Sequence, residues 1–162
     1  MITIKIDKSK FSELLKNKFV NIIDPTSTIY RQLAVELIPI IQKRIHVQGL
    51  AADGKEIGIY TNSYLKVRMS NSTSKKRSAS RKNYNRSSDP KVIISLTRQL
   101  ENDYAVIGTV RGWGIGFNNQ LNANKARWNN KRYGGRTIYD LTKDEIDFSI
   151  SLITNLIAKE FE

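Results

Sequence analysis

The chain has 162 residues, 40% of them hydrophobic, with 27 Lys/Arg against 15 Asp/Glu, a formal net charge of +12 and no cysteine. The length and apolar content suit one domain with a real core, expected here as residues 1–162 with a basic insertion at 70–89. Disulfides, thiolate zinc sites and thiol nucleophiles are excluded, a reducing compartment is favoured, and no apolar run approaches the roughly 18 residues that a membrane span needs.

The N-terminus, MITIKIDKSKF, lacks a signal-peptide core. Ile2, Ile4 and Ile6 alternate with Thr3 and Lys5 and predict a short strand. Phe11, Leu14, Leu15, Lys18, Phe19 and Ile22 then follow helical spacing, and Asp24-Pro25 stops that helix, because the residue before proline is pushed out of the helical region. The longest helical signal follows. Thr26 or Ser27 can cap it, and Ile29, Leu33, Leu37, Ile40, Ile41 and Ile45 share one face. Pro39 inside it removes a backbone hydrogen bond and predicts a kink or a division. Gly49 and Asp53-Gly54 supply turn chemistry, and Asp-Gly also suits a hairpin.

Residues 57–69, IGIYTNSYLKVRM, read as a strand, as do the alternating Val92, Ile94, Leu96 and Tyr104, Val106, Gly108, Val110. Gly112, Gly114 and Gly116 interleave with Trp113, Ile115 and Phe117, which suggests a strand packed closely against another backbone. Residues 118–136, Asn-rich and basic, read as a mostly irregular loop with at most one helical turn. Thr142-Lys143-Asp144-Glu145 is a capping box before a helix with Ile146, Ile150, Ile153 and Ile157 on one face. The fold class expected is α+β: an antiparallel sheet with a long kinked helix and a C-terminal helix packed on it, and a long basic hairpin loop.

That loop is the most informative segment. Residues 70–88, SNSTSKKRSASRKNYNRSS, hold Lys75, Lys76, Arg77, Arg81, Lys82 and Arg86 and no acid. Such a tract is either a solvated flexible loop or a polyanion-binding element. Neutralising several phosphates gives salt-dependent, sequence-blind affinity. Tyr84 alone interrupts the charge, so base stacking is poorly supplied. Charge is also uneven along the chain. Residues 64–139 carry 16 Lys/Arg against 3 Asp/Glu, whereas residues 140–162 carry 2 against 6. A basic middle and an acidic end suit an acidic partner, or a second copy of the same chain. Trp113, Lys125, Arg127, Trp128, Lys131, Arg132 and Tyr133 are the candidate subunit-contact residues; the aromatics suit core, interface or stacking positions.

Enzyme chemistry is poorly provided for. His46 is the one histidine, and near a helix end it reads as an ordinary surface histidine. Asp144, Glu145 and Asp147 occupy a capped first helical turn, where the helix dipole explains them without a metal. GWGIGF lacks the G-x-G-x-x-G spacing, and neither G-x-S-x-G nor GxxxxGK[ST] occurs. The expectation is no catalytic site, no metal and no cofactor.

Three stretches resemble the bacteriophage tail-completion or virion morphogenesis proteins of the head–tail neck, a group that includes terminators and adaptors. Val92–Leu100, VIISLTRQL, resembles the group's strand and Leu-Thr-x-x-Leu turn. Tyr104–Phe117, YAVIGTVRGWGIGF, resembles its long strand with a Gly-rich end. Arg136–Ile153, RTIYDLTKDEIDFSISLI, resembles its R-x-x-x-x-Leu-Thr-x-x-Glu approach to a C-terminal helix, with Thr137-Ile138-Tyr139 where many members have a Pro-Phe-Leu-like step. The resemblance spans about half the chain. It implies a structural protein that forms a homo-oligomeric ring, hexameric or dodecameric, between portal or connector proteins and tail proteins. It places the protein in the virion at the head–tail junction, assembled in the host cytoplasm, with basic loops near genomic DNA and no membrane partner. Two other readings stand beside it: a free-standing nonspecific nucleic-acid-binding protein and, more weakly, a nuclease with an unseen acidic site.

Overall fold

The computed structural model describes Asp24 and residues 27–69, 87–95 and 97–161. The fold is α+β. Helix α1 spans Thr28–Lys43 and passes into one π-helical turn, Arg44–Gln48. Helix α2 is Asn62–Met69 and α3 is Gln99–Asp103. Strands β1 (Tyr104–Thr109) and β2 (Gly112–Phe117) form an antiparallel hairpin, followed by α4 (Gln120–Arg132) and α5 (Lys143–Lys159). Helix α1 packs against both the hairpin and α5.

Helix α1 forms as its apolar stripe predicts. Ile29, Leu37, Ile41 and Ile45 are buried, and Leu33 and Ile40 are half-buried. Ser27 is the N-cap residue by backbone conformation, yet its hydroxyl makes no cap bond and is buried without a partner among the described residues. The helix runs through Pro39 undivided. Pro39 is exposed, and so is Val35, whose carbonyl loses its helical partner to the proline, so water can satisfy it. The departure from α geometry comes later, in the π turn, which ends at Gly49 with φ 65°. A side chain at Gly49 would also meet the Val92 carbonyl oxygen at 2.6 Å.

Asp53-Gly54 does turn the chain: Gly54 has φ +74°, Ala51 N–H donates to the Lys55 carbonyl at 2.8 Å, and Leu50 and Glu56 form a bridge. The strand expected over 57–69 is corrected. Extended chain ends at Thr61, where the hydroxyl accepts from Tyr64 N–H at 3.3 Å and opens α2. Tyr64, Leu65 and Arg68 recur at helical spacing and turn inward. Residues 92–95 are likewise not a ladder strand. They lie beside residues 58–60 through one bridge, Ile59 to Lys91, and the bonds Tyr60 N–H to Pro90 carbonyl (2.7 Å) and Val92 N–H to Gly58 carbonyl (3.0 Å).

Residues 118–136 are corrected from loop to helix over most of their length. Asn119 caps α4 by accepting from Leu121 N–H at 2.8 Å. The asparagines counted against helix are used as side-chain partners: Asn122 donates to Asp103 Oδ2 at 3.0 Å, and Asn130 Oδ1 accepts from Ile138 N–H at 3.2 Å. Neither Gly114 nor Gly116 of β2 is closely approached by another backbone. A Cβ at Gly116 would meet Ile107 at 3.0 Å, and one at Gly114 would meet nothing.

The capping box of α5 forms as expected, with Glu145 N–H donating to Thr142 Oγ1 at 3.1 Å and Thr142 N–H to Glu145 Oε2 at 2.8 Å. The buried face of α5 is not the isoleucine stripe. Glu145 and Leu156 point inward, whereas Ile146 is 44% and Ile150 58% exposed. No described helix is long and apolar enough to cross a membrane.

Candidate polyanion and subunit-contact surfaces

The rotation of α5 follows from one buried ion pair. Arg44 Nε donates to Glu145 Oε1 at 2.7 Å, and the remaining guanidinium N–H groups reach the carbonyls of Leu50 (3.1 Å), Ile138 (3.0 Å) and Asp140 (2.7 Å). Glu145 spends its second oxygen on the capping box. Both carboxylate oxygens are thus committed to structure, and the acidic trio expected in this turn is split: Asp144 and Asp147 are exposed while Glu145 faces the interior. No group of three or more His, Asp or Glu that could hold a metal occurs among the described residues.

His46 is corrected from surface to interior. It is buried, and its Nδ1 donates to the Ile94 carbonyl at 3.0 Å. Burial lowers its pKa, opposed by Glu101 and by that hydrogen bond. The Nε2 atom has no partner among the described residues, so protonation would place an unpaired N–H in the core. Nearby, Tyr104, Phe117 and Tyr139 form an aromatic cluster with centroids 5.1–5.7 Å apart. Burial pushes the Tyr104 hydroxyl up to about 12, against the lowering effect of Arg44. The Tyr139 hydroxyl is raised further by burial and has no hydrogen-bond partner among the described residues.

Of the predicted contact residues, Lys125, Arg127, Trp128, Lys131 and Arg132 share α4, with Tyr133 at its C-cap. Trp128 is 67% exposed. Leu121 and Trp128, seven residues apart, form an outward stripe with Arg132 and Lys131 beside it. Lys125 is held by amide oxygens, Gln99 Oε1 at 2.8 Å and Asn122 Oδ1 at 3.1 Å. Among the described residues Lys125, Arg127, Lys131 and Arg132 form no salt bridge. Tyr133 is half-buried against the core and Gly58. Trp113 stands apart on β2, over Gly108 and 5.7 Å beneath the Arg31 guanidinium.

Two adjoining cavities of about 270 and 340 Å³ share the walls Tyr60, Tyr64, Asn129 and Tyr133. Arg98 and Lys125 line one and Arg132 the other, with no carboxylate among the described residues of either wall. Arg98 is the one non-glycine residue at positive φ (55°) among the described residues. Behind Tyr60, Arg68 is 1% exposed, stacked 5.0 Å from the ring centroid, with no hydrogen-bond partner for its guanidinium nitrogens among the described residues. The sequence reading missed this cationic, tyrosine-lined face, because it rests on residues 60–68 folding as a turn and helix. Lys75, Lys76, Arg77, Arg81, Lys82 and Arg86 lie outside the described residues, between the end of α2 and Ser87.

Comparison with known protein families, with characterised proteins and with solved structures finds no match for this chain.

Proposed function

We propose that the protein is a non-catalytic structural subunit of a bacteriophage head–tail junction, a ring component joining the portal side to the tail. The observation that carries the reading is a pair of distinct exposed apolar surfaces on one chain, one of them on a strongly basic helix. Basic α4 exposes Leu121 and Trp128 on one side, and α5 exposes Ile146 and Ile150 on one side. Exposed apolar patches of this kind mark interaction surfaces, and two different ones on the same chain suit head-to-tail assembly, which closes into a ring when the rotation permits. The phage context rests on the three stretches that resemble the tail-completion group. The basic tract then meets genomic DNA or an acidic neighbour. The role is tested by removing the gene from the phage that carries it. The expected outcome is DNA-filled heads and complete tails that fail to join. Normal infectious particles would refute the role.

A second reading, a free-standing nonspecific nucleic-acid-binding protein, is favoured by the cationic cavities lined by Tyr60, Tyr64 and Tyr133. Tight binding to DNA by a strict monomer, falling steeply with salt, distinguishes it.

A further inference from the structure

We propose that the two adjoining tyrosine-lined cavities form a binding site for one unstacked nucleotide, base and phosphate together. The site goes beyond the ring reading and deepens the nucleic-acid reading, on which it rests. Lys125, Asn129, Arg132 and Tyr133 recur at helical spacing, so α4 and its C-cap present them along one side. Tyr60 and Tyr64 complete the shared walls, with ring centroids 4.9 Å apart. Tyr64 and Tyr133 are only half-buried, and Ile59, 71% exposed, adds apolar wall. At about 270 and 340 Å³ the cavities exceed what a lone phosphate needs and together reach the size of small-molecule sites. Aromatic and aliphatic walls suit a base, which stacks on tyrosine whatever its identity.

Charge selects the phosphate. Arg98, Lys125 and Arg132 line the cavities and form no salt bridge among the described residues. Arg68, buried against the Tyr60 ring, adds a charge that no described residue neutralises. The neighbouring carboxylates are already engaged: Glu101 accepts from Ser95 Oγ at 2.9 Å, Asp103 from Asn122 at 3.0 Å and Asp89 from Lys91 N–H at 2.9 Å. Residues 70–88, which follow α2 in sequence, hold six Lys/Arg and no acid, so they bring no counter-charge. Arg98 holds φ 55°, a region that glycine enters freely, so backbone strain is kept where its side chain reaches the cavity. A base enters such a cavity only when it is out of the stack. A single strand or a free nucleotide therefore fits, and a duplex does not.

The experiment follows fluorescence anisotropy of a labelled oligo(dT) with the purified full-length protein, against a duplex of equal length and with dTMP and oligoglutamate as competitors. The variants are Tyr64→Leu, Arg98→Gly and, as a control of equal charge on the exposed hairpin tip, Arg111→Gln. The single strand is expected to bind more tightly than the duplex. Tyr64→Leu and Arg98→Gly are each expected to weaken it by about 10-fold, and Arg111→Gln by less than about 2-fold. Arg98→Gly also relieves the positive φ, so it should melt no lower than wild type, and its loss of binding is then not a loss of fold. Displacement by dTMP assigns the site to free nucleotides as well as strands; cavity-dependent strand binding without it assigns the site to strands. Wild-type binding by both cavity variants overturns the site while leaving the nucleic-acid reading in place. So does displacement by oligoglutamate as strong as by unlabelled oligo(dT), which would mean a surface that takes any anion. No binding of strand, duplex or dTMP overturns both and leaves the ring reading standing.

Discussion

Arg44 and Glu145, 101 positions apart in sequence, meet at 2.7 Å in the interior, and their pairing sets how α5 sits on α1. The same carboxylate closes the capping box, so one residue both starts the helix and fixes its rotation. Breaking a buried pair leaves an uncompensated charge, at a cost of roughly 3–5 kcal/mol. Arg44→Ala and Glu145→Ala should each destabilise on that scale in urea denaturation. The double variant should cost less than the two together. Strict additivity would show that the pair does not act as a unit.

His46 should make the fold acid-sensitive in a defined direction. Its pKa is lowered in the folded chain below the ordinary 6.5 by burial. The unfolded chain therefore binds the proton first, and stability falls as pH drops below about 6.5, levelling once the folded histidine also titrates. His46→Asn, which keeps a donor for the Ile94 carbonyl, should flatten the loss of stability between pH 6.5 and 5. An unchanged pH profile would assign the sensitivity elsewhere.

The π turn after α1 ends at Gly49, and alanine there meets two obstacles. A left-handed conformation costs a side chain about 1–2 kcal/mol, and the new Cβ would lie 2.6 Å from the Val92 carbonyl oxygen. Gly49→Ala should lower stability by more than the conformational cost alone. Gly54→Ala, at φ +74° with open space around it, supplies the comparison and should lose only that cost.

Tyr139 buries a hydroxyl that no described residue satisfies. Tyr139→Phe keeps the ring against Tyr104 and Phe117 and removes the orphan. Thermal melts should show the variant at least as stable as wild type, by up to about 1 kcal/mol. A clear loss would mean that the hydroxyl has a partner.

The α+β class, the long helix and the capping box were legible because they rest on local signals: the Ile29–Ile45 stripe and the Thr142/Glu145 pair. Helix α4 was obscured by its asparagines, whose low helix propensity is overridden by bonds to Asp103 and Ile138 distant in sequence. Helix α2 was obscured by Ile57 and Ile59, whose alternation continues the extended chain only as far as Thr61. The exposed side of α5 was hidden for a different reason. Hydrophobic spacing names Ile146 and Ile150 as the inward face, and only the distant Arg44 turns Glu145 inward in their place. The clustering of Lys125, Arg127, Trp128, Lys131 and Arg132 followed from their proximity in sequence, but the separation of Trp113 needed the hairpin register that sets it opposite Gly108. The basic residues 75–86 fall outside the described residues, and their role rests on composition alone.

A ring-forming structural subunit is tested by electron microscopy of the purified protein. Closed rings of one dominant symmetry with a central opening are expected, matched by a discrete multiple of 18.5 kDa in mass photometry. A uniform population of single subunits at every concentration would contradict it.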